Sequence, residues 1–168
     1  MHGSVREFVR RAVRAYGLGG SVLEVGSYQE NDIVRDLLVN ATSYLGVDLR
    51  EGPGVDLVIE PGRAFYDQHE ATFDTVVCCE VLEHDRRPWV TLDGMATALK
   101  PGGILLVTCR GFGEHGAYGL HRCPTDYWRM HVDAMVGLYE DIGVERIYIG
   151  PDLEERTTPG VFALGRKH

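Results

Sequence analysis

Three residues near the start of the chain have types and a spacing that suit recognition of a nucleoside. Glu24 and Gly26 end the apolar run at residues 22–25, and Asp48 ends a second apolar run at residues 44–47. A carboxylate about 20 residues after a glycine turn is the group that accepts hydrogen bonds from ribose hydroxyls in βαβ folds. Charge-assisted bonds of this kind contribute about 1.5–3 kcal/mol each. The spacing therefore indicates a ribose-binding site.

The segments that position these residues read as strand, glycine turn, helix and second strand. Residues 22–25 are apolar and β-branched, and they stop at Gly26, as a buried strand does. Asn31 or Asp32 can cap a following helix. The apolar residues of that helix recur at helical spacing: Ile33, Val34, Leu37 and Leu38. The ligand is expected at the carboxyl ends of the two strands.

The composition of the turn disfavours a dinucleotide. A pyrophosphate is usually cradled by G-x-G-x-x-G, whereas only the first glycine, Gly26, is present here. The turn contains no Lys or Arg, and it carries Glu24 and Glu30 instead. A ligand with a cationic centre and a ribose diol suits such a turn better than an anionic one.

These segments, VLEVGSYQEN and LGVDLREGPGVDLV, resemble the cofactor half of class I S-adenosylmethionine-dependent methyltransferases. The likeness is strongest to the small-molecule group whose later motif reads EVLEH, here residues 80–84. In this chain the glycine-rich G-x-G-x-G is missing, so Asn31 takes part of its role. The cofactor-binding residues that the resemblance implies are Glu24, Gly26, Ser27, Tyr28, Asn31, Asp48, Leu49, Glu60, Cys79 and Glu80.

Glu60 matches the family's acid that receives the adenine amino group. Relatives follow this acid with a residue whose backbone N–H meets an adenine ring nitrogen. Pro61 has no N–H, so that contact moves to Gly62 or is absent. An ordinary surface position for Glu60 is an equally weighted interpretation.

The rest of the chain continues the same pattern. A third strand at residues 55–59 precedes Glu60. A fourth strand at residues 73–79, a helix ended by Lys100-Pro101-Gly102-Gly103 and a fifth strand at residues 104–107 match the family, and strands at 144–149 and 160–164 follow. The expected fold is α/β, Rossmann-like and doubly wound. It has a mostly parallel seven-stranded sheet, helices on both faces and an antiparallel last strand. Residues 1–168 are expected to form a single methyltransferase domain.

The loop at residues 109–126 is where we expect the methyl acceptor to enter. Its end resembles the H-x-x-P-x-D-Y-W-R signature of a subset of these enzymes. His121 is the first candidate for a catalytic base, because its pKa suits proton removal near neutrality. Asp126 and His84 complete the predicted catalytic set. His121 could instead only order the loop through Asp126.

The residues after His121 also have two interpretations. Asp126 could orient His121, or it could cap a helix that begins at Tyr127. Tyr127 and Trp128 fit packing better than a platform for substrate. Arg129 could pair with an acid or bind a substrate anion.

A metal site is the alternative interpretation of EVLEH. In ubiquinone-biosynthesis O-methyltransferases and small-RNA 2′-O-methyltransferases a similar E-x-x-E-H run binds a divalent cation. By resemblance, Glu80, Glu83 and His84 would be the ligands here, with His115 or His121 added. Many relatives carry EVLEH without metal, so we expect no metal ligands.

Composition excludes several classes of protein. The net charge of −8 disfavours a nucleic-acid partner. No apolar run approaches the roughly 20 residues that span a bilayer, and no signal-peptide segment is evident, so a cytoplasmic protein without a membrane partner is expected. The cysteines, Cys78, Cys79, Cys109 and Cys123, match neither a disulfide framework nor a zinc site.

We therefore expect a methyltransferase that uses S-adenosylmethionine and releases S-adenosylhomocysteine. The acceptor is expected to be an oxygen or nitrogen of a small metabolite such as a sugar or natural-product intermediate. A non-catalytic cofactor-binding module that acts as a partner or regulatory subunit is the alternative. A nicotinamide oxidoreductase is a weaker third interpretation.

Overall fold

The computed structural model describes residues 3–28, 34–112, 126–152, 154 and 159–168. The helices within these ranges are α1 (Gly3–Tyr16), α2 (Ala64–Gln68), α3 (Pro88–Ala98) and α4 (Val132–Asp141). The strands are β1 (Gly19–Val25), β2 (Asn40–Asp48), β3 (Leu57–Val58), β4 (Phe73–Cys79), β5 (Leu99–Arg110), β6 (Val144–Pro151) and β7 (Gly160–Lys167).

All seven strands belong to one sheet in the order β3-β2-β1-β4-β5-β7-β6. Strands β1 to β5 pair in parallel, whereas β7 is antiparallel to both β5 and β6. The doubly wound, mostly parallel sheet with an antiparallel last strand is thereby confirmed. The strand order reverses between β1 and β4, and this switch point is where open α/β sheets bind ligands.

Helices cover both faces of the sheet, as expected. The apolar stripe of α1 packs against one face, where it meets side chains of β1, β4, β5 and β7: Val9, Ala12 and Val13 against Val22, Val77, Leu106 and Leu164. The helices α2, α3 and α4 cover the other face. Their contacts include Tyr66, Leu92, Met95 and Met135 against Leu23, Val76, Cys78 and Leu105. Apolar side chains therefore fill both faces, and the buried polar residues Glu24, Thr108 and Arg110 lie at the carboxyl ends of β1 and β5.

The helix predicted after β1 is wrong in its described part. Residues 34–39 contain a single 3₁₀ turn, Arg35–Leu37, and β2 begins directly afterwards at Asn40. The Arg35 guanidinium donates to the carboxylate of Asp56 and to the Gly54 carbonyl oxygen, and Leu38 is buried. These tertiary contacts outweigh the weak preference that helical spacing expresses.

Two further features bear on the composition argument. Within the described ranges, no helix has the length and apolar character needed to cross a membrane. Cys78, Cys79 and Cys109 are free thiols. Burial raises the pKa of each of the three thiols, so they stay protonated and pack as small apolar side chains.

Candidate functional site

The turn after β1 lies so close to a neighbouring segment that only glycine fits at its first position. Gly26 has φ of +79°, a region that other L-residues rarely adopt. A Cβ at this position would lie 2.1 Å from Cγ2 of Val81. The N–H groups of Gly26 and Ser27 both donate to the Val47 carbonyl oxygen, at 2.9 and 3.0 Å. The turn therefore ties the ends of β1 and β2 to the segment that follows β4.

Asp48 lies at the carboxyl end of β2, beside this turn. Its half-buried carboxylate accepts the Tyr28 N–H at Oδ2, 3.2 Å away, and the Leu49 N–H at Oδ1, 2.7 Å away. A carboxylate has about four acceptor positions, so these bonds fix its orientation and leave acceptor capacity for two hydroxyls. The Leu49 side chain is 61% exposed and borders the same edge. Oriented acceptors of this kind suit a ribose diol.

The two residues after Gly26 have different surroundings. Ser27 is fully buried and its side chain packs against Gly46 of β2, so only its backbone faces the turn. Tyr28 is half-buried, and the Arg50 guanidinium lies 3.7 Å from the centre of its ring. Tyr28 and Arg50 therefore pack against each other next to Asp48, in a cation–π contact.

Glu24 is held inside the fold. Its Oε2 accepts the Tyr44 hydroxyl at 2.8 Å, and only 4% of the residue is exposed. Burial raises the pKa of Glu24 to about 7, although the Tyr44 hydrogen bond opposes the shift. Arg35 lies over the Tyr44 ring, 4.4 Å from its centre. Glu24 therefore links β1 to β2 through its buried hydrogen bond with Tyr44.

The raised pKa of Glu24 predicts a pH-dependent stability. The folded state holds the Glu24 proton up to about pH 7, whereas the unfolded chain releases it near 4.5. The free energy of unfolding therefore falls as the pH rises from 4.5 to 7, by up to about 3 kcal/mol from this residue. Glu24→Gln keeps an acceptor for Tyr44 without the charge. We expect this variant to match the wild type at pH 4 and to exceed it at pH 8.

Urea unfolding at a series of pH values measures this difference. Glu70→Gln removes an exposed carboxylate and is the matched control, since it should leave the pH dependence unchanged. If the free energies of unfolding of Glu24→Gln and the wild type differed by the same amount at pH 4 and at pH 8, Glu24 would not be the source of the pH dependence.

The end of β4 carries a residue in a strained conformation. Glu80 has φ of +58°, which costs a residue with a side chain about 1–2 kcal/mol. Its N–H donates to the Thr108 carbonyl oxygen at 2.9 Å. Its carboxylate accepts the Thr108 hydroxyl at 3.1 Å and pairs with Nε of Arg110 at 2.9 Å. Strain of this kind concentrates at functional sites, and here it turns Glu80 toward the end of β5.

Glu83 is the most unusual polar residue of the site. It is 1% exposed, and neither carboxyl oxygen has a hydrogen-bond partner among the described residues. Burial and the nearby Glu80 carboxylate raise the pKa of Glu83, so its neutral form is favoured. Its carbonyl oxygen accepts the N–H groups of Tyr127 and Trp128, at 2.7 and 3.3 Å. His84 is half-buried in the same 3₁₀ turn, Leu82–His84.

Asp126 does not cap a helix, so that alternative is wrong. The helix α4 begins at Val132, and the His131 side chain accepts the Asp133 N–H at its start. Asp126 pairs with Arg129, and the Met130 N–H donates to the Arg110 carbonyl oxygen at 2.8 Å. The segment cannot be helical from Tyr127, because its N–H groups bond to the turn after β4 and to the end of β5.

Three of the candidate residues lie outside the described part of the chain: Asn31, His115 and His121. Glu60 is exposed after β3, at the same edge of the sheet as Asp48. Within the described part of the chain, no three His, Cys, Asp or Glu side chains are arranged to hold a metal ion. The Glu80 carboxylate is engaged by Thr108 and Arg110, and that of Glu83 is enclosed.

Thr108 and Arg110 are site residues that the sequence reasoning missed. Both are buried at the end of β5 and contact Glu80. The sequence feature that could have identified them is their spacing of two residues, because alternate residues of a strand lie on the same face of the sheet. A threonine and an arginine that continue an apolar strand in this way indicate a polar partner on the neighbouring strand.

Comparisons with known proteins agree with this geometry. The profile of the family described as "Methyltransferase domain" matches residues 1–134. A ubiquinone biosynthesis O-methyltransferase of Azoarcus sp. (strain BH72) is 37% identical over 92 residues, which are 53% of this chain and 40% of that protein. The corresponding protein of Pectobacterium atrosepticum is 33% identical over 90 residues, 52% of this chain and 37% of that protein. The matches thus span well under half the length of both relatives.

Solved structures show the same fold at low identity. The Burkholderia thailandensis 1,6-didemethyltoxoflavin-N1-methyltransferase, solved with S-adenosylhomocysteine, superposes with a TM-score of 0.72 at 16% identity, covering 98% of this chain and 78% of that one. The cyclase SpnF superposes with a TM-score of 0.71 at 15% identity, covering 96% and 81%. The strand order, the turn at Gly26 and the match over residues 1–134 agree, and the chain belongs to the class I S-adenosylmethionine-dependent methyltransferases.

Proposed function

We propose that this protein transfers a methyl group from S-adenosylmethionine to an oxygen or nitrogen of a small metabolite. The observation that carries the proposal is the oriented carboxylate of Asp48, held by the N–H groups of Tyr28 and Leu49 beside the Gly26 turn. This donor and acceptor set fits a sulfonium nucleoside: it offers acceptors for ribose hydroxyls and no glycine-rich cradle for pyrophosphate. The bound cofactor would supply an electrophilic methyl group.

The residues along the strand ends would then have separate tasks. Asp48 and the backbone at Leu49 bind the ribose, Gly26, Ser27, Tyr28 and Asn31 border the methionine end, and Glu60 lies toward the adenine. The backbone of Cys79 and Glu80 closes the site at the end of β4, and Glu24 supports it from within the fold. Holding acceptor and methyl in line is worth up to about 7–11 kcal/mol in well-oriented reactions.

His121 is the proposed base that removes the proton of the acceptor, with Asp126 and His84 beside the same entrance. A positioned base contributes about 10²–10⁴-fold to such a step. The Met130–Arg110 hydrogen bond joins residues 126–130 to the end of β5, and Asp126 pairs with Arg129 within this segment. In this proposal Asp126 orients groups at the entrance.

The proposed acceptor is a small hydroxylated or nitrogen-containing metabolite, such as a sugar or natural-product intermediate. The relatives in Azoarcus and Pectobacterium are named for ubiquinone biosynthesis, and the Burkholderia enzyme is named for 1,6-didemethyltoxoflavin. Both names describe small molecules. Because all seven strands form one sheet, we also propose that residues 1–168 act as a single domain.

Incubation with methyl-labelled S-adenosylmethionine and a panel of small metabolites tests the proposal. We expect label in an acceptor with the wild type, and a rate lowered about 10²-fold or more in His121→Ala. Cofactor binding without any labelled product over the panel would support the non-catalytic module instead. His168→Ala, which changes an exposed histidine after β7, is the matched control and should keep the wild-type rate.

A further inference from the structure

Aromatic side chains are exposed where the segment after residue 125 meets the turn after β4. Trp89 is 48% exposed, Tyr127 40% and Trp128 39%. Large aromatic side chains normally bury most of their surface. We call Trp89, Tyr127 and Trp128, with Arg86 and Arg87, the aromatic rim. The expectation that Tyr127 and Trp128 are packing residues does not account for this exposure.

The rim is held rigidly. The Trp128 Nε1 donates to the Asp85 carbonyl oxygen at 2.7 Å, and the Trp89 and Trp128 rings meet edge to face with centres 5.9 Å apart. Nε of Arg86 donates to the Tyr127 hydroxyl at 2.9 Å. The Asp85 carboxylate accepts the Arg87 N–H and the Thr91 hydroxyl. Preorganised rings lose little entropy when a ligand binds.

The rim is continuous with the proposed active site. The N–H groups of Tyr127 and Trp128 bond to the carbonyl oxygen of Glu83, in the turn that begins after Glu80 at the end of β4. The rim therefore borders the acceptor side of the strand edge, whereas Asp48 lies on the ribose side.

The charge of the rim is opposite to that of the whole chain. Arg86 and Arg87 are both exposed, and the one carboxylate of the turn between them and Glu83, that of Asp85, is hydrogen-bonded to the Arg87 N–H and the Thr91 hydroxyl. The chain carries a net charge of −8. A local positive edge on an acidic protein attracts anions to that edge.

We propose that the aromatic rim binds the methyl acceptor and selects a molecule that carries a flat ring and an anionic group next to it. The ring stacks on the exposed indole of Trp128 and contacts Trp89 beside it, and the anionic group meets Arg86 and Arg87. This inference rests on the proposed function, because it names the substrate class of that same active site.

The chain provides a specific reporter for this proposal, because Trp89 and Trp128 are its two tryptophans. Selective excitation of tryptophan therefore reports on the rim alone. We would titrate the wild type with phenyl phosphate, with phenol and with inorganic phosphate, each in the presence of excess S-adenosylhomocysteine. We expect saturable quenching by phenyl phosphate, at a concentration about tenfold or more below that needed for phenol or phosphate alone.

Variants separate the two parts of the rim. The double variant Arg86→Gln/Arg87→Gln should weaken phenyl phosphate about five- to tenfold and leave phenol unchanged. Trp128→Phe keeps a ring and should retain the affinity, read from Trp89, whereas Trp128→Ala should lose it. Arg146→Gln, which changes an exposed arginine on β6, is the matched control and should behave as the wild type. Benzoate in place of phenyl phosphate tells whether a carboxylate serves as well as a phosphate.

Non-saturable quenching, or equal affinity for phenyl phosphate and inorganic phosphate, would overturn the proposal, as would unchanged binding in the double arginine variant. Calorimetry with S-adenosylhomocysteine is run on the same samples. If S-adenosylhomocysteine binds but phenyl phosphate does not, the proposed binding role of the rim is refuted and the proposed function is unaffected. Probe binding without cofactor binding refutes the proposed function, and the rim then remains as a site for ring-bearing anions with no acceptor role.

Discussion

Gly26→Ala is expected to lower the free energy of unfolding by about 2–5 kcal/mol and to remove measurable cofactor binding. Two costs add. The backbone at φ of +79° disfavours any residue with a Cβ, and the new Cβ would lie 2.1 Å from Cγ2 of Val81. The chain must then shift at the turn that lies beside Asp48. Urea unfolding measures the stability, and calorimetry with S-adenosylhomocysteine measures the binding.

Gly17→Ala separates the two costs. Gly17 has φ of +68°, and a Cβ there would meet nothing within 4 Å. This variant therefore carries the backbone cost of about 1–2 kcal/mol without the collision, and it should bind cofactor normally. If Gly26→Ala and Gly17→Ala proved equal in stability and in binding, the close approach to Val81 would have no part in the site. Adding Val81→Ala to Gly26→Ala should restore part of the lost stability.

Asp48→Asn is expected to weaken S-adenosylhomocysteine binding by about 10- to 100-fold. The amide keeps an acceptor oxygen for the Leu49 N–H, but it loses the charge that strengthens hydrogen bonds from ribose hydroxyls. The fold should tolerate the change, because the Asp48 side chain is half-buried and hydrogen-bonds only to backbone N–H groups in the described structure. Calorimetry gives the affinity, and thermal unfolding without ligand gives the stability.

The control for Asp48→Asn is Asp36→Asn, which removes the same charge from an exposed position in the 3₁₀ turn. Equal affinities in the two variants and the wild type would mean that Asp48 does not bind the ribose. A large loss of stability in Asp48→Asn alone would assign the residue to the fold.

The fold was predictable because its signals are local and repeated. The run at residues 73–79, the helix stop at Lys100-Pro101-Gly102-Gly103 and the apolar strand behind it each follow from periodicity and turn chemistry. Their order then limits the sheet to a few topologies, since crossovers between parallel strands have one hand. The helix nevertheless ends at Ala98, and β5 begins at Leu99 and includes residues 100–103, whereas the sequence predicts a strand from residue 104.

The segments that were predicted wrongly are those whose structure depends on distant partners. Residues 34–38 have helical spacing, yet Arg35 is drawn to Asp56 and the Gly54 carbonyl oxygen. Tyr127 and Met130 fall at helical spacing with α4, yet their N–H groups bond to Glu83 and Arg110. In both places hydrogen bonds across the fold outweigh a weak local preference.

The sequence predicts where Gly26 and Asp48 of the proposed site lie, at the ends of two strands, but it does not predict the surroundings of the proposed acceptor half. Gly26 and Asp48 follow from spacing and from the close approach of backbones, which a sequence displays. The enclosure of Glu83, the strained Glu80 and the exposure of Trp128 depend on how separate segments pack. A superposition with the cyclase SpnF shows why the reaction itself needs a direct test: one fold carries unrelated chemistries.

Titration calorimetry of the unmodified protein with S-adenosylhomocysteine, with NADH as the comparison ligand, tests the central claim most directly. We predict saturable binding of S-adenosylhomocysteine at one site per chain and no heat from NADH. Absence of heat from S-adenosylhomocysteine, or binding of NADH in its place, would contradict the assignment of the Gly26 turn and Asp48 to a sulfonium nucleoside.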